Sequence, residues 1–424
     1  MTEFVALPPA RSLHGVLEVP PSKSATNRAL LAAALAPSAV EIVRPLESED
    51  TAALRACLRA MGATIEPVSD GLRVAGPLRG DRAREITLDA GASGTAARFL
   101  LAAAAATPGQ FLLTGTAGLR VRPMGELVDA LRSGGARIAY AGREGRLPVR
   151  IEGGLRSSEL TVDASRSSQF LSALLLSGIA VDGGLSIRAS GAIASRPYVD
   201  STIETLRELG HAVEEGEWIA VRRGDRPAAR LEIPGDYSSA VPMLSAVGAA
   251  GGEIRLRRLR WPSRDADARS LPVLEAMGIR IAPSASEIQA RAEREALRPF
   301  SVRATDFPDA VPALAALAAM APGHSRFEGI RHLRWKESDR IAGLLSLLTA
   351  AGADADATED ELTVTGPARP SGTVLLPTFG DHRMAMAAAL LSLRFPGLLI
   401  EEPDCVAKSY PGFFRDLETL VRRD

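Results

Sequence analysis

Six times along the chain, a small or polar opening leads into a run of Ala and Leu that has no polar face. The openings are Ser24, Ser93, Ser167, Ser238, Asp309 and Asp381, separated by 69, 74, 71, 71 and 72 residues. A helix that is apolar all round must be buried on every side, so each run predicts a helix inside a core. Between these runs lie amphipathic segments that end in glycine, at 54–62, 127–135, 203–210, 271–278 and 344–352. Glycine is the expected residue just past a helix C-terminus. An alternating apolar–polar stretch then predicts a strand, as at 136–140, and similar alternation marks 184–189 and 253–258. Six units of roughly 70 residues account for the 424-residue chain, which therefore reads as one supersecondary unit repeated.

Composition narrows the picture. Apolar residues make up 46% of the chain and aromatics only 4%, so the cores are built from Ala, Leu and Val. Fifty basic and 51 acidic residues leave a formal charge of −1, and no global field recruits nucleic acid or an anionic membrane. The basic run at 254–260 alternates with apolar residues and lacks aromatic stacking, which makes it the solvated face of a strand. The acidic stretch 354–361 reads as a turn and a strand edge. Cys57 and Cys405 are far apart and fit no metal spacing, and this predicts a reduced, cytoplasmic protein. The N-terminus lacks the basic and apolar regions of a signal peptide, and no window carries 18 uninterrupted apolar residues. Length predicts two or three domains, with a boundary just after the polar, breaker-rich connection 222–227.

The helix openings carry charge that buried helices do not need. Lys23 and Arg28 flank the first turn of the first apolar run, which follows Pro20 and Pro21. Arg98 lies in the second, Arg122 precedes Pro123, 336–340 is a dense polar cluster, Asp381-His-Arg383 opens the last run and Lys408 follows it. Free N–H groups and the positive dipole end already favour an anion at a helix start, so added cations there predict phosphate or carboxylate binding. Arginine suits planar, bidentate recognition of both groups. Asp309 and Glu337 place acid–base groups within that cationic field. Each feature also has a plainer reading: Asp309 and Asp381 as N-caps, Ser167 and Ser168 as caps, 336–340 as a solvated first turn. Caps alone do not call for so many cations. There is no Gly-rich phosphate loop, no dinucleotide fingerprint, and no His or carboxylate spacing suited to a metal.

Six motifs, Pro21-Ser-Lys-Ser-Ala-Thr-Asn-Arg28, Arg122-Pro-Met-Gly125, Ser167-Ser-Gln169, Ser195-Arg-Pro-Tyr198, Lys336-Glu-Ser-Asp-Arg340 and Asp381-His-Arg-Met-Ala-Met386, closely resemble the 5-enolpyruvylshikimate-3-phosphate synthase family, in order and over nearly the whole chain. The resemblance implies an α/β fold of two domains, each of three βαβαββ repeats with buried helices, an inverse α/β barrel of the enolpyruvyl transferase type. It implies a first strand, 1–18, that packs with the C-terminal domain, then an N-terminal domain over 19–232 and a C-terminal domain over 233–424, with the active site in the cleft between them. The implied reaction moves the enolpyruvyl group of phosphoenolpyruvate to the 5-hydroxyl of shikimate 3-phosphate and releases phosphate, without metal or organic cofactor. By motif, Lys23, Ser24, Arg28, Ser167, Ser168, Gln169, Ser195, Tyr198, Asp309 and Lys336 would hold shikimate 3-phosphate. Lys23, Gly94, Arg122, Gln169, Arg340, His382, Arg383 and Lys408 would hold phosphoenolpyruvate. Lys23, Asp309, Glu337 and Lys408 are the candidates for proton transfer. A cytoplasmic monomer acting on small molecules, without nucleic acid or membrane, is the expected state.

The chain departs from the family pattern at three places. Ala92 stands where Asn is common, Phe99 where Pro or Leu is usual, and His332 where Asn is often found. Alanine removes one neutral hydrogen-bond donor from the mouth of the second apolar run, where glyphosate is expected to compete. Two other readings remain open. A UDP-N-acetylglucosamine enolpyruvyl transferase would carry a Lys-Asn pair where Lys23-Ser24 stands, and a reactive loop cysteine that neither Cys57 nor Cys405 supplies. A non-catalytic anion-binding repeat protein would not need Lys23, Asp309, Glu337 and Lys408 together.

Overall fold

A computed structural model describes residues 4–224 and 228–423, so the end of the polar connection at 222–227 lies outside the described residues. All six apolar runs are helices: α1 (Lys23–Leu35), α2 (Gly94–Ala106), α3 (Ser168–Ser177), α4 (Tyr237–Ala250), α5 (Val311–Ala318) and α6 (His382–Arg394). Their burial follows from composition. Every residue of α4 and α5 is buried, as are all but two of α2.

Two of the expected openings are corrected. Ser24 lies inside α1, whose cap is Ser22, with Oγ accepting from the Ala25 N–H at 3.3 Å. Ser238 lies inside α4, and Asp236 caps it by accepting from the Ser238 N–H at 2.9 Å. In both places a capping side chain precedes further small polar residues, so the pattern alone shifts the start by one or two positions. Ser93, Ser167 and Asp381 do cap α2, α3 and α6. Asp309 does not cap: α5 starts after Ala310 without any side-chain cap.

The amphipathic helices Glu49–Ala60, Gly125–Ser133, Arg196–Glu208, Leu271–Ala276 and Arg340–Ala350 each stop just before the expected glycine. Gly62, Gly135, Gly210, Gly278 and Gly352 all have φ between 80° and 101°. The residue after each glycine donates back into the last turn, as Ala63 does to Leu58 O at 3.0 Å and Ile279 to Leu274 O at 3.0 Å. This left-handed cap satisfies the helix-end carbonyls, and a Cβ would oppose it.

Around five of the six buried helices the strands follow one plan. In the second repeat, Ile86–Asp89 runs parallel to Gly109–Thr114 across α2, and the latter pairs antiparallel with Val149–Gly153, which pairs antiparallel with Arg137–Tyr140. That is a βαβαββ unit. The same four-strand order recurs around α3 and α5. Strand Gly252–Arg257 buries Ile254 and Leu256 and exposes Arg255 and Arg257, so the basic run is a solvated face, as its alternation implies.

By contact density the chain divides into two compact units, 21–233 and 1–20 with 234–424. In the first, Arg230–Glu232 supplies the parallel partner of Val40–Val43. In the second, Ser12–Glu18 supplies the parallel partner of Gly252–Arg257, with Leu13 opposite Gly252 and Glu18 opposite Arg257. The sixth repeat is reduced to a three-stranded sheet of Phe4–Ala6, Leu398–Glu401 and Val374–Leu376. Helices α1, α2 and α3 pack on one another in one unit, and α4, α5 and α6 in the other. Each triplet carries its unit's core, with the sheets outside it. No helix among the described residues is long and apolar enough to cross a membrane.

Candidate active site

In unit 21–233 the polar residues gather at the starts of α1, α2 and α3. Lys23 is the first residue of α1, and its Nζ lies 3.1 Å from Asp50 Oδ2, with both side chains largely buried. Asp50 sits in the first turn of helix Glu49–Ala60. Carboxylates are common there because they complement the dipole, so nothing in the sequence sets Asp50 apart. Arg28 is buried one turn further along α1. Its Nε donates to Thr202 Oγ1 at 2.7 Å, Nη2 to Tyr198 O at 2.9 Å and Nη1 to Ser24 O at 3.0 Å. It thus fastens α1 to helix Arg196–Glu208 and brings Ser24 and Tyr198 together. Ser195, which precedes that helix, is buried in the left-handed region at φ 54°.

Gly94 opens α2 with the Arg122 guanidinium lying against it: a Cβ on Gly94 would stand 2.4 Å from Nη1. Only glycine lets the arginine approach the helix start this closely. Ser167 caps α3, Ser168 is buried in its first turn, and Gln169 Nε2 donates to Thr95 Oγ1 at 3.0 Å, while its Oε1 accepts from Arg98 at 2.5 Å. Phe99 is fully buried, with the Arg28 guanidinium 5.9 Å from its ring centroid. Ala92 is half-buried, one residue before the cap Ser93, whose hydroxyl accepts from the Ala96 N–H at 3.3 Å.

In the other unit, Arg340 is the centre of a charge network. Its side chain is 1% exposed, a position a guanidinium occupies only when its donors and charge are matched. Nε donates to Asp381 Oδ2, Nη1 to Asp309 Oδ1 and Nη2 to Glu337 Oε2, each at 2.8 Å. Lys336 Nζ and Arg383 Nη2 both lie 3.6 Å from Asp309, on Oδ1 and Oδ2 respectively. Arg383 also donates to the backbone and hydroxyl oxygens of Ser238. Lys408 Nζ donates to Gly380 O at 2.9 Å, and His382 Nδ1 lies 3.6 Å from Asp381 Oδ1. Of these carboxylates, only the cap Asp381 also holds a helix start, accepting from the Arg383 N–H at 2.9 Å. Its second role, accepting from Arg340 on both oxygens at 2.8 and 3.3 Å, is invisible in a sequence that already explains it as a cap.

Burial works to raise the Asp309 carboxyl, but the Lys336, Arg340 and Arg383 cations outweigh burial and Glu337 and hold it far below the usual carboxylate range. Burial likewise works against the charge on Arg340, and the Asp381, Asp309 and Glu337 carboxylates reverse it, raising the guanidinium well above its ordinary value. His332 is buried beside this network, and burial together with the Lys336 charge pushes it down to about 3. The unfolded chain takes up that proton near 6.5 and the folded chain does not, so folding stability falls as pH drops from 6.5 towards 3. Asp309 adds a loss of the same sign only below its ordinary value of 3.8. The thermal midpoint of the chain is therefore expected to fall between pH 6.5 and 4.5, and His332→Asn to flatten that slope. Equal slopes in the two proteins would show that His332 does not titrate with unfolding.

Among the described residues, no group of three or more His, Cys, Asp or Glu could hold a metal ion. Cys57 donates to Asp89 O at 3.3 Å, and burial and the Asp89 charge push its thiol up to about 12, which suits core packing rather than nucleophilic chemistry.

The sequence matches the family model of EPSP synthase (3-phosphoshikimate 1-carboxyvinyltransferase) over residues 8–417. It is 37% identical over 406 residues to the 3-phosphoshikimate 1-carboxyvinyltransferase of Methanoculleus marisnigri, covering 94% of each chain. It is 38% identical over 429 residues to that of Deinococcus radiodurans, covering 99% of this chain and 96% of the relative. The fold resembles EPSP synthase from Acinetobacter baumannii, with TM-score 0.78, 27% identity and coverage of 99% and 98%. It also resembles the enolpyruvyl transferase NikO from Streptomyces tendae, with TM-score 0.77, 22% identity and coverage of 98% and 97%, a likeness of fold alone.

Proposed function

The chain belongs to the EPSP synthase family, and from that premise we propose that its charged helix starts bind the anionic substrates of one transfer reaction. The protein is an enzyme of the shikimate pathway that transfers the enolpyruvyl group of phosphoenolpyruvate to the 5-hydroxyl of shikimate 3-phosphate. Ser24, Arg28, Ser167, Ser168, Gln169, Ser195, Tyr198 and Lys336 bind shikimate 3-phosphate. Gly94, Arg122, Arg340, His382, Arg383 and Lys408 bind phosphoenolpyruvate, and Lys23 touches both. The observation that carries this reading is Asp309, an ionised carboxylate 2.8 Å from Arg340 with Lys336 and Arg383 beside it. It is an acid–base group set inside an anion-binding field.

The chemistry follows from those charges. The 5-hydroxyl oxygen bonds to C2 of phosphoenolpyruvate and its proton passes to a base, while a proton from an acid bonds to the methylene carbon. This gives a tetrahedral ketal phosphate. Elimination then breaks the bond from C2 to the phosphate oxygen as the methyl carbon gives up a proton, releasing phosphate and restoring the double bond. An ionised carboxylate cannot donate, so Asp309 is the candidate acceptor of the first step, a role that needs the bound anionic substrates to offset the Lys336, Arg340 and Arg383 charges that hold its basicity down. Glu337, Lys23 and Lys408 are the candidate donors. The cations offset the repulsion between two phosphates and a carboxylate brought into contact. The enzyme acts as a cytoplasmic monomer on small molecules, with no role for nucleic acid or membrane.

Phosphate release measured with phosphoenolpyruvate and either shikimate 3-phosphate or UDP-N-acetylglucosamine tests this reading. Release is expected with the first acceptor only. Release with the sugar nucleotide, or with neither acceptor, would overturn it.

A further inference from the structure

Arg98 is the one arginine of the second buried helix, and its side chain is 2% exposed. Its guanidinium reaches three separate segments of unit 21–233. Nη1 donates to Gln169 Oε1 at 2.5 Å and to Gly94 O at 3.4 Å, Nη2 donates to Pro123 O at 3.2 Å, and the guanidinium carbon stands 5.3 Å from the Phe170 ring centroid. The two backbone carbonyls and the aromatic face hold the group so that one edge is aimed at the start of α3. Arginine has donors and no acceptor. The amide it meets must therefore turn its oxygen inward, and its nitrogen outward.

That nitrogen carries two hydrogens. One goes to Thr95 Oγ1 at 3.0 Å, and the other has no acceptor among the described residues. A free amide could present either its oxygen or its nitrogen, and the oxygen would repel a phosphate or carboxylate. We infer that Arg98 is a positioning residue: it locks Gln169 as an N–H donor to an anionic substrate, and touches no substrate itself. The inference rests on the proposed reaction, in which Gln169 binds shikimate 3-phosphate. It explains why an arginine sits within a run of Ala, Phe and Leu where burial of a charge is costly.

A double-mutant cycle tests it, with kcat and KM measured for both substrates in Arg98→Met, Gln169→Ala and the double variant. Wild-type turnover is measured first, so that failure of the proposed reaction is seen separately from failure of this inference. Arg98→Met is expected to lower kcat/KM about tenfold or more. In the Gln169→Ala background the same change is expected to cost less than about threefold, because the amide it acts through is gone. Arg98→Lys keeps the charge but offers no planar fork, and is expected to show the same loss and the same disappearance in the Gln169→Ala background. It replaces the Met variant if that chain does not fold. Losses that multiply in the double variant, or an Arg98 variant with wild-type kcat/KM, would overturn the inference.

Discussion

Replacing Asp309 by Asn is expected to lower turnover by about 10²–10⁴-fold, the range that a positioned acid or base contributes, with shikimate 3-phosphate affinity changed only a few-fold. Asn keeps the shape and one oxygen that can still accept from Arg340 Nη1, now 2.8 Å from Oδ1. It cannot take the proton of the 5-hydroxyl. Removing the charge also leaves Lys336 and Arg383, each 3.6 Å from this carboxylate, with one fewer anion, which favours binding of an anionic substrate. Binding and turnover are therefore expected to move apart, and that separation distinguishes a base from a structural partner of Arg340. Single-turnover kinetics with shikimate 3-phosphate affinity measured in parallel would show it. If affinity and turnover fell together, Asp309 would be holding Arg340 in place and another group would accept the proton.

The repeat, its buried helices and its capping glycines were legible because each has a local cause. A helix without a polar face has nowhere to go but the core, and Gly62 or Gly278 reports a left-handed cap from sequence alone. Long-range choices have no such trace. The region 1–18 reads as a strand that packs with the C-terminal half, but nothing in Ser12–Glu18 names Gly252–Arg257 as its partner. The cationic openings were visible because positive charge at a helix start opposes the dipole. Their carboxylate partners were not, because Asp50 in a first turn and Asp381 at a cap occupy places where acids are ordinary. Charge that violates a local rule can be read from sequence. Charge that obeys one is assigned a function only when its neighbour is known.

Lys23→Met is expected to cut turnover by about 10²–10³-fold, the loss seen when one fixed electrostatic donor is removed from a reacting site. Methionine matches the length of the lysine stem and keeps its packing at the start of α1, where the side chain is 14% exposed. The effect is therefore one of charge, and it has two parts. The variant loses an ammonium beside free helix N–H groups, and it unmasks Asp50, whose carboxylate now lies 3.1 Å from Nζ. An unpaired, largely buried carboxylate at this point repels both substrates. Adding Asp50→Asn removes the second part only, so the double variant is expected to regain affinity for shikimate 3-phosphate and phosphoenolpyruvate several-fold while turnover stays low. Dissociation constants and kcat for Lys23→Met with and without Asp50→Asn separate the two contributions. Should the second change restore turnover as well, Lys23 serves only to neutralise Asp50, and it leaves the list of groups that act on the reacting atoms.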